Sequence, residues 1–126
     1  MVHERHYTRD EANALLPELE ATLAELRQAR DRLTDAEAHS ALADAAPANG
    51  GGADGRHVGE GFLDVRRILA DLEQREIVVR DIDRGLVDFP AIVEGREAYL
   101  CWELGEAEVG HWHDLETGFA GRRALD

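Results

Sequence analysis

Leu86-Val87-Asp88-Phe89-Pro90-Ala91-Ile92-Val93-Glu94-Gly95-Arg96-Glu97-Ala98-Tyr99-Leu100-Cys101-Trp102 is the stretch whose reading decides the fold. Glu94-Gly95 reads as a two-residue hairpin tip between two alternating strands. From that tip, Val93 pairs with Arg96, Ala91 with Ala98, Phe89 with Leu100 and Val87 with Trp102. One face then carries Val87, Phe89, Ala91, Ala98, Leu100 and Trp102, an apolar surface that needs a cover. Gly105-Glu106 reads as a second tip leading into a strand from Glu108 to His113, which pairs Trp102 with Val109 and Leu100 with His111. The opposite face receives Leu86, Asp88, Ile92, Tyr99, Cys101, Glu103, Glu108 and Trp112. That mixture is too apolar for a purely solvated face and suggests a partner surface. A bulge at Gly110 would exchange the faces of His111, Trp112 and His113. Upstream, Ile77-Val78-Val79 reads as a short first strand and Asp83-Arg84-Gly85 as a turn of Asx type.

The cover comes from the N-terminal half. Thr8 and Glu11 stand at capping-box spacing, and Ala12, Leu16, Leu19, Leu23, Leu26 and Leu33 recur at steps of four and three, with Arg30 in the one gap. Pro17 cannot donate to the carbonyl of Asn13, so a kink is expected there. An alanine-rich extension runs to Ala46, and the glycine-rich run that follows reads as a flexible linker. A second helix places Val58, Phe62, Val65, Leu69 and Leu72 in its seam, with Leu63 and Ile68 beside them and two glycines, Gly59 and Gly61, weakening its start. The expected fold is α+β: an antiparallel two-helix hairpin packed on a small antiparallel β-meander of three to four strands. The expected boundaries are 8–46 for the first helix, 47–56 for the linker, 57–76 for the second helix, 77–113 for the meander and 114–126 for a tail, all in one domain.

Composition narrows the function classes. The chain has 126 residues, 14 basic and 27 acidic, for a formal charge of −13. All the basic residues are arginine, which reads as codon usage and not as a binding signature. This balance argues against nucleic acid and anionic membrane as partners. One cysteine provides no disulfide framework, and no apolar run is long enough for a membrane span, so a cytoplasmic location is expected.

The most chemical stretch is His111-Trp112-His113-Asp114. Histidines two apart on a strand point the same way and can share a divalent metal, with Cys101 or Asp88 as further ligands if the bulge brings them to one face. The alternative is two hydrogen-bonded sheet histidines. Cys101 reads as a small buried residue and not as a nucleophile, because no base stands beside it in sequence. Asp81, Asp83, Asp88, Glu103 and Glu106 form near-pairs that such an acidic chain produces by chance. Arg122 and Arg123 are expected to dock on the chain's own carboxylates, and His3 and His6 to lie in a frayed N-terminus.

Tyr7-Thr8, Glu11-Ala12-Asn13-Ala14-Leu15-Leu16-Pro17, Gly85-Leu86-Val87-Asp88-Phe89-Pro90, Tyr99-Leu100-Cys101-Trp102, Leu104-Gly105-Glu106, Trp112-His113 and Gly118-Phe119-Ala120-Gly121-Arg122 together resemble a bacterial family known as domain of unknown function 2203. The resemblance implies no activity. It directs attention to Asp88, Cys101, Trp102, Glu106, His113 and Arg122, and away from His111. This chain has Gln74-Arg75-Glu76 where the resemblance implies a helix-ending glycine.

Two functional readings follow. The first is a non-catalytic interaction module that self-associates, expected as a homodimer. The alternative is a small-ligand or metal-binding protein, an enzyme among the options, with its site around Asp88, Cys101, Glu106, His113 and Arg122.

Overall fold

The computed structural model describes residues 1–45 and 52–125, and side chains outside 34–58. Two helices, α1 (Arg9–Ala45) and α2 (Gly52–Gln74), precede a five-stranded antiparallel sheet. Its strands β1 (Val78–Asp81), β2 (Leu86–Val93), β3 (Arg96–Glu103), β4 (His111–Asp114) and β5 (Arg123–Ala124) lie side by side in chain order. Much of the expected linker lies outside the described residues, but the backbone from Gly52 onward is already helical. The fifth strand comes from the segment expected to be a tail.

The capping box forms reciprocally: the Thr8 N–H donates to Glu11 Oε1 at 2.9 Å, and the Glu11 N–H donates to Thr8 Oγ1 at 3.1 Å. Helix α1 runs through Pro17 and buries Ala12, Leu16, Leu19, Leu23, Leu26 and Ala29. The seam of α2 differs from expectation. Its inward stripe is Gly61, Ile68 and Leu72, buried, with Val65 half-buried, while Phe62, Leu63 and Leu69 remain 51%, 63% and 40% exposed. The reason is close approach. A Cβ on Gly61 would meet the Ala29 carbonyl oxygen at 3.0 Å, so the missing side chain marks where α1 and α2 touch.

Glu76 explains the departure at the end of α2. The Ile77 N–H donates to the Leu72 carbonyl and the Glu76 N–H to that of Glu73, both at 3.0 Å, a Schellman-type closure. Glu76 occupies the left-handed position itself, at φ 56°. Its carboxylate accepts from the N–H groups of Glu4 and Arg5 and pairs with His3 Nδ1 at 3.2 Å. Glu97 likewise accepts from the Val2 and His3 N–H groups and pairs with His6 at 2.7 Å. Residues 2–7 therefore form a strap bound to the molecule, not the expected frayed end.

The β2–β3 register matches the expected one throughout, with Glu94 and Gly95 both at positive φ in the turn. The next connection does not. Leu100 pairs with Trp112, not His111, and Cys101 with His111. The turn centres on Leu104 and Gly105, not on the expected Gly105-Glu106, with the Glu106 N–H closing it on the Glu103 carbonyl; β4 begins only at His111, and the longer connection admits one extra residue. Val109 still reaches the core, anchored by its N–H to Asn13 Oδ1 at 2.6 Å and its carbonyl to Arg9 Nε at 2.8 Å. Trp112 consequently enters the core with Val87, Phe89, Leu100 and Trp102, against the helix seams. His111 and His113 turn to the opposite face, the exchange that a bulge at Gly110 would produce.

Candidate functional site

The opposite face of the sheet is largely closed by the chain's own ends. Tyr99 is covered by His3, whose Nε2 lies 2.7 Å from its hydroxyl. The C-terminal segment crosses the other side, where Arg122 stacks on Phe119. This accounts for the apolar character that suggested a partner surface: Leu86, Tyr99 and Cys101 are buried within the chain.

At the centre of this face stand Asp88 from β2, Cys101 from β3 and His113 from β4, each at most 1% exposed. Asp88 pairs with Cys101 across β2 and β3, and the shift in β4 brings His113 alongside. One donor atom from each lies within 4.8 Å of the others. His113 Nδ1 faces the Asp114 carbonyl at 2.7 Å and must donate to it, since a carbonyl only accepts. Nε2 therefore points at Asp88 Oδ1, 3.0 Å away, and one proton lies between ring and carboxylate. Arg80 Nε donates to the other Asp88 oxygen at 2.9 Å.

Neither ring nitrogen of His113 is directed to Cys101, so the imidazole does not serve the thiol as a base. Burial, and after it the charge of Asp88, pushes that thiol up to about 11. A nucleophilic cysteine needs the reverse arrangement. The same three residues do suit a metal. Sulfur, nitrogen and oxygen donors on three adjacent strands make a zinc-type set, and an Nδ1–H held by a backbone carbonyl is how a ligating histidine is oriented through Nε2.

The other sequence candidates separate into two places. Arg122 donates to both Glu106 oxygens, lies 2.9 Å from His111 Nδ1 and reaches Cys101 Sγ at 3.8 Å. Burial raises the Glu106 carboxyl, but the Arg122 contact and the Glu103 N–H outweigh it, and the net shift is downward. His111 thus belongs to this ion-paired group, and the donor atoms that gather around His113 are those of Asp88 and Cys101. Trp102 lies on the core side, fully buried, its indole N–H donating to the Glu106 carbonyl at 3.0 Å. Arg123 approaches Asp114 at 3.9 Å.

A cavity of about 250 Å³ opens onto Asp88 and His113, walled by Leu86, Leu115, Gly118 and Phe119, with Arg80 and Glu116 as its charged members. Arg80 was not among the sequence candidates. Its signal was the continuation of β1 past Val79, which puts a basic residue beside Asp88.

The chain belongs to the family described as uncharacterized conserved protein (DUF2203), whose model matches residues 5–125. No match was found among curated proteins or among solved structures. No described helix is long and apolar enough to cross a membrane.

Proposed function

We propose that this chain is a metal-binding protein that takes one divalent ion of the zinc class on Asp88, Cys101 and His113. The observation that carries the reading is the convergence of three buried, chemically suitable donors within 4.8 Å, two of which, Asp88 and His113, line a cavity. Three protein ligands leave one tetrahedral position for water or a ligand, as in catalytic rather than structural zinc sites. An ion held by Asp88, Cys101 and His113 would displace the Cys101 proton and the proton shared by His113 Nε2 and Asp88 Oδ1. Cobalt(II) titration tests this. One equivalent is expected to bind with a thiolate-to-cobalt charge-transfer band; Cys101→Ser loses the band and His113→Ala the binding. A wild-type chain giving no such band overturns the reading.

A second reading, self-association, is favoured by the exposed Phe62, Leu63 and Leu69 on α2. Leu69 also lines a hollow of about 560 Å³ together with Ile77 and Val79. Sedimentation at micromolar concentration should give a dimer that Leu63→Glu dissociates. A monomeric wild type removes it.

A further inference from the structure

Resting on the metal reading, we infer that the ligand of this site is a small organic monocarboxylate, received by Arg80 beside the ion.

Arg80 is the only basic residue on the cavity wall among the described residues. It is tethered through Nε to Asp88 and stacked on the Tyr99 ring at 5.1 Å, which fixes the plane of its guanidinium. Its two terminal amino groups have no other partner among the described residues, and the side chain is 44% exposed. A fork held in this way matches a planar carboxylate. The neighbouring arginines are already engaged: Arg122 by Glu106, and Arg84 by Glu103.

Charge sets how many negative groups the ligand carries. A divalent ion is neutralised by the Asp88 carboxylate and the Cys101 thiolate, and Arg80 is left with one positive charge to balance. With the exposed Glu116 of the same wall counted, the site already sums to zero before a ligand enters, so one carboxylate on the Arg80 fork is the most it takes and a second negative charge is opposed. The remaining walls, Leu86, Leu115 and Phe119, suit a short apolar body, and the volume of about 250 Å³ limits its size. A phosphate dianion or a dicarboxylate fits this balance poorly.

The test uses the full chain, metal-free and cobalt-loaded, with butyrate, butyramide, succinate and inorganic phosphate as probes, read by calorimetry and by the visible cobalt spectrum. Butyrate is expected to bind at least about tenfold more tightly than butyramide, since only the former makes charge-assisted bonds to the fork. Arg80→Gln should weaken butyrate about tenfold to hundredfold without altering cobalt stoichiometry, with Arg80→Lys falling between. Glu116→Gln should bring succinate closer to butyrate. Equal affinity for acid and amide, no effect of Arg80→Gln, or phosphate binding more tightly than butyrate overturns the inference. Absence of cobalt uptake by the wild type defeats the metal reading alone. The ligand inference then stands or falls on butyrate against butyramide with the metal-free chain, followed by amide NMR shifts at Leu115 and Phe119.

Discussion

Asp88→Asn separates the observed role of the buried carboxylate, joining three strands, from its proposed role as a metal ligand. In the native protein Oδ1 meets His113 Nε2 at 3.0 Å and Oδ2 meets Arg80 Nε at 2.9 Å. An asparagine in the same rotamer offers its NH2 group to Nε2 of a neutral ring and its oxygen to Arg80. Both hydrogen bonds survive, so no buried group is left unpaired. What changes is strength: bonds with a charged partner are worth about 1.5–3 kcal/mol and neutral ones about 0.5–1.5 kcal/mol. The His113 bond makes that exchange, a loss of about 1 kcal/mol, while the Arg80 bond keeps its charged donor and loses only a screened ion pair, since that guanidinium is 44% exposed. The expected loss is therefore about 1–2 kcal/mol. Asp88→Leu, which leaves the Nε2 side of His113 and the Arg80 Nε without a partner, should cost about 3–5 kcal/mol.

Metal binding should order these variants differently. An amide is a poor substitute for a carboxylate ligand, and even outer partners of metal sites change affinity by about 10–100-fold. Loss of a direct ligand should then exceed about hundredfold, or about 2.7 kcal/mol. Guanidinium unfolding of the metal-free proteins and zinc competition against a chelating dye supply the two numbers. If Asp88→Asn destabilises as much as Asp88→Leu, the charge and not the hydrogen bonding holds this face together. If zinc affinity is unchanged in Asp88→Asn, the carboxylate is not a ligand and the site as drawn is wrong.

Three other outcomes follow from the same structure. The His6 contact, joined by the N–H groups of Val2 and His3, lowers the Glu97 carboxyl from 4.5 to about 2, so its contribution to stability is present above about 4.5 and is lost as pH falls toward 2; Glu97→Gln should flatten an acid titration of stability in that window. Gly95→Ala and Gly85→Ala both put an L side chain at positive φ, worth about 1–2 kcal/mol, but only at Gly85 would the new Cβ lie 2.5 Å from Leu104 Cβ, so Gly85→Ala should shift the denaturant midpoint clearly further. Zinc uptake at pH 8 should release about two protons, one from Cys101 and the one held between His113 and Asp88, and potentiometry should find about one fewer in Cys101→Ser.

The parts of the fold legible in the sequence were those where two constraints agreed. The Glu94-Gly95 turn and the alternation on both sides of it specify one register, since a slip by one residue would turn Phe89, Leu100 and Trp102 away from the helices. The seam of α1 was equally plain, because its leucines recur with a partner stripe on one side only. On α2 the apolar residues outnumber the buried positions, and counting hydrophobic residues cannot tell that Gly61 faces α1 while Phe62 faces outward. The N-terminal strap was illegible for another reason: it is held by carboxylates far along the chain, Glu76 and Glu97, and local pattern carries no trace of such partners.

The site stood at the boundary of what pattern can resolve. Asp88, Cys101 and His113 were visible as chemistry-bearing residues, and Asp88 opposite Cys101 followed directly from the first hairpin. Whether His113 joined them depended on one residue in the connection from Glu103 to His111. A tight turn there would have sent Trp112 outward and left His113 beside the core, with the carboxylate and thiol facing no imidazole. The extra residue serves both sides of the sheet at once: it gives the core the large indole of Trp112 beside Leu100, and it delivers an imidazole to a carboxylate and a thiol across two strands. Restoring the short register would require burying His111 beside Leu100 and His113 beside Ala98 and exposing Trp112, both costly. The packing of the core therefore holds the site in register, and a change in the 104–110 connection that preserved stability would have to preserve the site as well.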